Sequence, residues 1–353
     1  MRKKIFLVVG SLGAGGSERV YWLLSQYFNN EKYDVSVVYL SGHHQCFSAD
    51  IKGIRFINLN TIKASKSFFK LLKLLRDEKP DAVFSTTDHI NILIAMVGCF
   101  VKVPNLIARA SNNPFQMRQY YDFKARFYNF FTRFLFFRFD FIVCQSEEML
   151  REMAVCYNIP VKKLTVIHNP ILPSHLLKNG RSISGLKRLV VVSRLRKEKG
   201  LLRLLEIVKD LPTNYVLTIV GDGPLMKELK TLVCQNNLCN RVTFTGEISN
   251  VALQIARNDL LVLSSFTEGF PNVVLESLSV GVPVVTFRVG GISKLIREGF
   301  NGFVAEQNDV VNLKRHIIRA CNQTWHHEQI KADIYNRFAL DKIGKSYEML
   351  ILN

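Results

Sequence analysis

Two carboxylates eight positions apart frame the segment Glu268-Gly-Phe-Pro-Asn-Val-Val-Leu-Glu276. The apolar run Leu260 to Leu263 and the small pair Ser264-Ser265 lead into it, so Glu268 is expected in a loop at the carboxyl end of a strand and Glu276 about two turns into the helix that follows. Open α/β sheets bind their ligands at that end of the strands. Taken alone, the two glutamates also read as a solvated surface loop; their neighbours favour chemistry. Val192-Ser-Arg194-Leu-Arg-Lys-Glu-Lys199-Gly200 reads as a strand end, two cations five positions apart and a glycine, followed by a leucine-rich helix over 201–208. A lysine point charge beside an arginine fork suits a diphosphate; a solvated pair on a surface turn is the plainer alternative. Ile219-Val-Gly-Asp-Gly-Pro224 and Gly246-Glu-Ile248-Ser-Asn250 add two further strand ends with turn chemistry.

These loops need a scaffold, and the chain is long enough to supply one. At 353 residues and 48% hydrophobic content, two domains are the expectation. Short apolar strands (Lys4 to Val9, Val35 to Leu40, Ala82 to Ser85, Asn105 to Ala108, Phe141 to Cys144) alternate with helical stretches, and the pattern restarts at Leu189 to Ser193. The expected organisation is therefore α/β, with a first domain over 1–172, a linker over 173–186, a second domain over 187–334 and a last segment over 335–353 whose helix is expected over Phe338 to Leu352.

The residues carry a family resemblance. The second half resembles the donor domain of the family 4 glycosyltransferases, which retain anomeric configuration and have the GT-B fold, two Rossmann-like βαβ domains facing each other across a cleft. Gly13-Ala-Gly15-Gly16-Ser-Glu18-Arg19 is similar to that family's N-terminal glycine loop, and Val166-Ile-His-Asn169-Pro170 to its inter-domain segment, so the resemblance covers nearly the whole chain. It implies a nucleotide-sugar donor, a UDP-sugar on this reading, held by the second domain, an acceptor held by the first, and a terminal helix that returns to the first. Arg194 and Lys199 would stabilise the departing diphosphate, helped by the backbone of Gly15 and Gly16 and of the turn Gly269, Phe270, Pro271, Asn272 and Val273 at a helix N-terminus. Gly246 and Ile248 would line the donor site, Glu276 would accept the ribose hydroxyls and Glu268 would contact the transferred sugar. No metal or other cofactor is then required. The resemblance implies front-face attack by the acceptor hydroxyl, while a double displacement would make Glu268 the nucleophile.

Two segments depart from the family pattern. The loop after Asn105 to Ala108 reads Arg109-Ala-Ser-Asn112-Asn-Pro, with Ala110 where many relatives carry a histidine; Arg109 and Asn112 are the polar groups available there. Gly290-Gly291-Ile-Ser-Lys294 places a lysine where the family has a carboxylate. On the acceptor side, Asp88 and Asn91 lie in a segment expected to be a loop, where Asp88 could accept a proton; a turn-forming aspartate is the alternative.

Charge bears on partners. The formal net charge is +18, and residues 1–175 hold 23 Lys+Arg against 13 Asp+Glu. In 115–139, 12 of 25 residues are aromatic, and Phe123, Phe127, Phe130, Phe134 and Phe137 recur at helical spacing beside five basic residues. This segment and 63–79, with Phe68-Phe69 among lysines, are expected to contact an anionic membrane surface, giving a cytoplasmic, peripherally bound enzyme; aromatic core packing is the other reading. Together with this face, the chain's resemblance to bacterial surface-polysaccharide glycosyltransferases implies a polyprenyl-diphosphate-linked saccharide as the acceptor. The longest apolar run, Ile92 to Val101, is too short to span a bilayer. Nucleic acid is not expected, because no recognition helix, RNP motif or zinc finger accompanies the charge. Seven cysteines without a Cys-x-x-Cys pair indicate neither a disulfide framework nor a zinc site and are expected to be mostly buried thiols. Two other classes fit the same scaffold: an epimerase or hydrolase of sugar nucleotides, and a non-catalytic lipid- or polysaccharide-binding protein.

Overall fold

The computed structural model describes residues 2–13, 15–42, 46–61, 64–111, 134–178 and 185–352. The chain divides into two units, residues 1–172 with 338–353, and residues 173–337.

The first unit runs β1 (Lys3–Ser11), α1 (Gly16–Phe28), β2 (Tyr33–Ser41), β3 (Ile54–Asn58), α2 (Ala64–Glu78), β4 (Ala82–Thr86), α3 (Asp88–Val97), β5 (Asn105–Arg109), β6 (Phe141–Cys144), α4 (Glu147–Tyr157) and β7 (Leu164–Val166). Its sheet has the order β3-β2-β1-β4-β5-β6-β7, every neighbouring pair parallel. Ile5 to Val9 are all buried, as unbroken apolar runs must be where helices cover both faces of a parallel sheet.

The second unit runs β8 (Lys187–Val192), α5 (Leu201–Lys209), β9 (Tyr215–Val220), α6 (Met226–Gln235), β10 (Val242–Gly246), α7 (Val251–Ala256), β11 (Leu260–Leu263), α8 (Asn272–Ser279), β12 (Val284–Phe287), α9 (Ile292–Leu295), β13 (Gly302–Ala305), α10 (Val310–Asn322) and α11 (His327–Phe338). Its sheet order is β10-β9-β8-β11-β12-β13, again parallel throughout. Each unit is thus a Rossmann-like α/β layer structure.

Several expectations are corrected. Residues 173–178, placed in the linker, are built into the second unit: Lys178 donates its backbone N–H to Val280 O at 2.8 Å, and its buried Nζ lies 3.0 Å from Asp259 Oδ1. The last helix begins at Leu340, close to the expected Phe338, but the segment from 335 is interrupted at Ala339. Helix α11 ends at Phe338, Ala339 bridges to Ile171, and α12 (Leu340–Leu352) starts afresh in the first unit. There Gly344 lies against the Tyr27 ring, and Glu348 accepts hydrogen bonds from Tyr27 Oη at 3.0 Å and Tyr33 Oη at 2.8 Å. Only Cys144 and Cys321 are buried; Cys46, Cys99, Cys234 and Cys239 are exposed, the last two with Sγ atoms 3.2 Å apart.

Residues 112–133, which hold Asn112 and most of the aromatic stripe, lie outside the described residues. Of the remainder, Phe136 and Phe139 are core while Phe134 and Phe137 are exposed. Lys63 also lies outside; Ala64–Glu78 form α2, whose Leu71 and Leu75 face the core and whose Phe69 is 79% exposed, and Lys79 follows the helix. Among the described residues no helix is long and apolar enough to cross a membrane.

Candidate active site

In the second unit β8 has β9 on one side and β11 on the other, so chain order reverses between β8 and β11. Loops leaving the carboxyl ends of two such strands diverge and open a crevice. Both sequence-marked segments emerge there: Ser193 to Gly200 from β8 and Ser264 to Pro271 from β11.

The two loops are knitted together. Phe266 N donates to Glu198 O at 2.8 Å, and Ser264 Oγ donates to Lys199 O at 3.0 Å. Gly200 takes φ 63°, and a Cβ there would strike the Ser264 carbonyl, so only glycine fits. This contact sets Lys199 against Glu268: Lys199 Nζ donates to Glu268 Oε1 at 2.7 Å, and both side chains are largely buried. Ser265 Oγ donates to the same Oε1 at 2.6 Å. With two donors on one oxygen, Glu268 Oε2 is left to accept from a ligand.

The remaining donor residues predicted in this unit follow the carboxyl ends of its parallel strands. Glu276 is on α8 and only 9% exposed, one turn into the helix rather than two because α8 begins at Asn272. Gly269, Phe270 and Pro271 are buried before it, with Asn272 and Val273 half-buried in its first turn. Gly291 takes φ 70°, and a side chain there would run into the Phe270 ring, so the Gly290-Gly291 turn supports the Phe270 loop from the β12 side. Lys294 is exposed on α9. Arg194 is exposed just beyond β8, while Ser193 Oγ beside it is buried without a hydrogen-bond partner. Gly221 N donates to Gly246 O at 2.8 Å, so the turns after β9 and β10 are joined; Gly246 has φ 70° with open space at its Cβ position, and Ile248 is half-buried.

Ser265, which the sequence marks only as a small residue, belongs to this site. Its signal is the Ser-x-x-Glu spacing, which lets a hydroxyl reach a carboxylate three residues on.

In the first unit, Gly15 caps α1 with extended backbone and Gly16 opens the helix. The Glu18 carboxylate lies where a Gly15 Cβ would sit, so this helix N-terminus already has an acidic neighbour. The acceptor-side residues are placed differently from expectation. Asp88 and Asn91 belong to the start of α3, not to a loop. Asn91 is wholly buried, accepting from Ser85 Oγ at 2.8 Å and donating to Arg109 O at 3.1 Å. Arg109 is 1% exposed; it donates to Ser17 Oγ at 3.3 Å, Thr86 Oγ1 at 3.4 Å and Asn169 Oδ1 at 2.5 Å. Neither side chain is presented to a ligand.

Two parallel Rossmann-like sheets, one in each unit, match the GT-B architecture of solved glycosyltransferases. Two family models match in succession, Glycosyltransferase Family 4 over residues 14–175 and Glycosyl transferases group 1 over residues 177–337, and the chain belongs to this family. It is 26% identical over 327 residues (88% of this chain, 87% of the relative) to the GalNAc-alpha-(1->4)-GalNAc-alpha-(1->3)-diNAcBac-PP-undecaprenol alpha-1,4-N-acetyl-D-galactosaminyltransferase of Campylobacter jejuni. It is 27% identical over 331 residues (86% of this chain, 84% of the relative) to the UDP-Gal:alpha-D-GlcNAc-diphosphoundecaprenol alpha-1,3-galactosyltransferase of Escherichia coli. Among solved structures, HepE of Anabaena in complex with UDP-glucose matches with a TM-score of 0.81 at 19% identity, over 98% of this chain and 99% of that one. The lipopolysaccharide outer core galactosyltransferase WaaB, in its apo form, matches with a TM-score of 0.75 at 18% identity, over 99% of both chains.

Proposed function

We propose that the protein transfers a hexose or N-acetylhexosamine from a UDP-sugar to a polyprenyl-diphosphate-linked saccharide, with retention of anomeric configuration, in the assembly of a bacterial surface glycan. The observation that carries this reading is Glu268, fixed by Lys199 and Ser265 through one oxygen at the switch point of the donor-type sheet. The relatives from Campylobacter jejuni and Escherichia coli, named for undecaprenol-linked acceptors, support the acceptor class.

Breaking the anomeric C–O bond leaves charge on the diphosphate, and preorganised donors lower that barrier. Arg194 and Lys199 supply cations and the first turn of α8 backbone N–H groups, so the reaction proceeds without a divalent ion. Glu276 accepts the ribose hydroxyls. Glu268 Oε2 accepts hydroxyls of the transferred sugar. A carboxylate whose other oxygen is held by an ammonium and a hydroxyl is a weakened nucleophile, which favours front-face attack: the acceptor oxygen bonds to the anomeric carbon on the face that UDP leaves, and its proton passes to the departing phosphate oxygen.

For the acceptor's lipid, α2 offers a docking face. Phe69 and Phe100 are 79% and 62% exposed, both rings touch Phe68, and Lys66 and Lys73 are exposed on the same helix. Such a face suits the anionic cytoplasmic leaflet. The test is a screen of radiolabelled nucleotide sugars with membrane extract as acceptor, read by the mass of the extended glycan. Nucleotide release that needs no acceptor would instead indicate a hydrolase.

A further inference from the structure

The loop that carries Glu268 leaves β11 with three consecutive carbonyls, Ser264, Ser265 and Phe266, that no strand or helix ladder satisfies. Backbone acceptors in a buried loop need donors from elsewhere. Arg203, the third residue of α5, supplies them: its Nε donates to Ser264 O at 2.9 Å, and its Nη2 donates to Ser264 O at 2.5 Å and Ser265 O at 2.9 Å. The guanidinium is sandwiched between two rings, with its carbon 3.7 Å from the Phe266 centroid and 3.9 Å from that of Phe287. From the other side, Gln307 accepts from both Arg203 Nη atoms at 3.2 Å and donates through Nε2 to Ser265 O at 3.1 Å and Phe266 O at 3.2 Å. Glycine at 200 is also what lets this side chain pass, since a Cβ there would lie 2.8 Å from Arg203 Nε.

We propose that Arg203, backed by Gln307, is the positioning residue of the sugar-binding carboxylate. It holds the backbone of Ser265, whose Oγ in turn fixes Glu268. The role of Glu268 in sugar transfer is taken from the function proposed above. The partners of Arg203 include the Ser264 and Ser265 carbonyls, the side-chain amide oxygens of Gln307 and Asn308, and the faces of two aromatic rings. Its planar fork therefore does what a lysine ammonium cannot: it reaches two carbonyls at once while stacked on both faces. Misplacing a catalytic-site group by about 1 Å can cost on the order of 10²-fold in rate.

The test is a double-mutant cycle of Arg203→Lys with Glu268→Gln in the full-length enzyme, followed by radiolabelled transfer, with thermal midpoints measured alongside. Arg203→Lys in the wild-type background is expected to lower kcat by roughly 10-fold or more, with the donor KM changed less than about twofold. In the Glu268→Gln background the same substitution is expected to have almost no further effect, because the group it positions is already lost. Gln307→Ala provides a second entry to the cycle should Arg203→Lys fail to fold, with the same pattern at smaller size. Equal losses in both backgrounds, or a wild-type kcat for the folded Arg203→Lys protein, would overturn the positioning role alone. Full turnover by Glu268→Gln would overturn it together with the function on which it rests.

Discussion

Lys199 Nζ lies 2.7 Å from Glu268 Oε1, joining residues 69 positions apart across the seam where β8 and β11 part. The pair couples the cation expected to meet the diphosphate to the carboxylate expected to meet the sugar. A donor bound there would contact both members at once, one on each side of the bond to be broken.

Removing either member should therefore damage turnover more than donor binding. Glu268→Gln keeps shape and removes charge, and Lys199→Met keeps the stem and removes the ammonium. Each is expected to lower kcat on the order of 10²-fold or more while the donor KM changes severalfold. A pure KM effect would move both residues from the reacting centre to the binding periphery.

Metal chelation separates two ways of neutralising the leaving diphosphate. With Arg194 and Lys199 as the cations, turnover in excess EDTA is expected to stay within about twofold of that in magnesium, whereas Arg194→Gln loses on the order of 10²-fold in either buffer. Activity abolished by EDTA and restored by a divalent ion would refute the assignment.

Gly344 reverses an ordinary rule. A Gly→Ala change within a helix usually stabilises by about 0.5–1 kcal/mol. Here the new methyl would press on the root of the Tyr27 ring, and such overpacking costs about 1–3 kcal/mol. Gly344→Ala is expected to lower the thermal midpoint, and a rise would show that α12 can slide away without penalty.

The attachment of α12 should also be pH-dependent. Hydrogen bonds from Tyr33 and Tyr27, with Lys32 nearby, hold the Glu348 carboxyl below its usual range against the opposing effect of burial. A depressed carboxylate stabilises fully above its unfolded value, about pH 4.3, and loses that contribution as pH falls through the folded value. The midpoint of the wild type should thus fall more steeply below about pH 4.5 than that of Glu348→Gln. Parallel curves would deny the linkage. On the alkaline side, burial and then the Glu348 hydrogen bond push Tyr27 up to about 12, so this phenol stabilises the fold until pH rises past its ordinary range.

Vesicle flotation tests the membrane face. Binding to phosphatidylglycerol vesicles, and not to neutral ones, is expected, and the pair Phe69→Ser and Phe100→Ser should weaken it about tenfold or more. Unchanged binding would place the contact elsewhere.

The sequence announced the second unit well because its chemistry follows strands of unbroken Val, Leu and Ile whose loop residues point in one direction by topology. The placement of Glu268, Lys199 and the glycine turns needed only that rule. The first unit was less legible. Asp88 and Asn91 look like turn residues, yet Asp88 opens α3 and Asn91 is drawn inside by Ser85 and the Arg109 carbonyl. Arg109 itself looks like a surface cation; pattern alone does not reveal that Ser17, Thr86 and Asn169, distant in sequence, converge on it. The break at Ala339 was hidden for the same reason, since the residue that ends α11 there is its bridge partner Ile171.

That bridge has a consequence for synthesis. Domains fold largely in the order they leave the ribosome, but the first unit here takes in residues 338–353, made after the whole of the second. Until they emerge, Tyr27, Tyr33 and Phe84 wait with the surface meant for Gly344, Tyr347 and Glu348 uncovered. The N-terminal half is born first and finished last, so a nascent chain stalled anywhere before Leu340 should expose a sticky aromatic seam to chaperones.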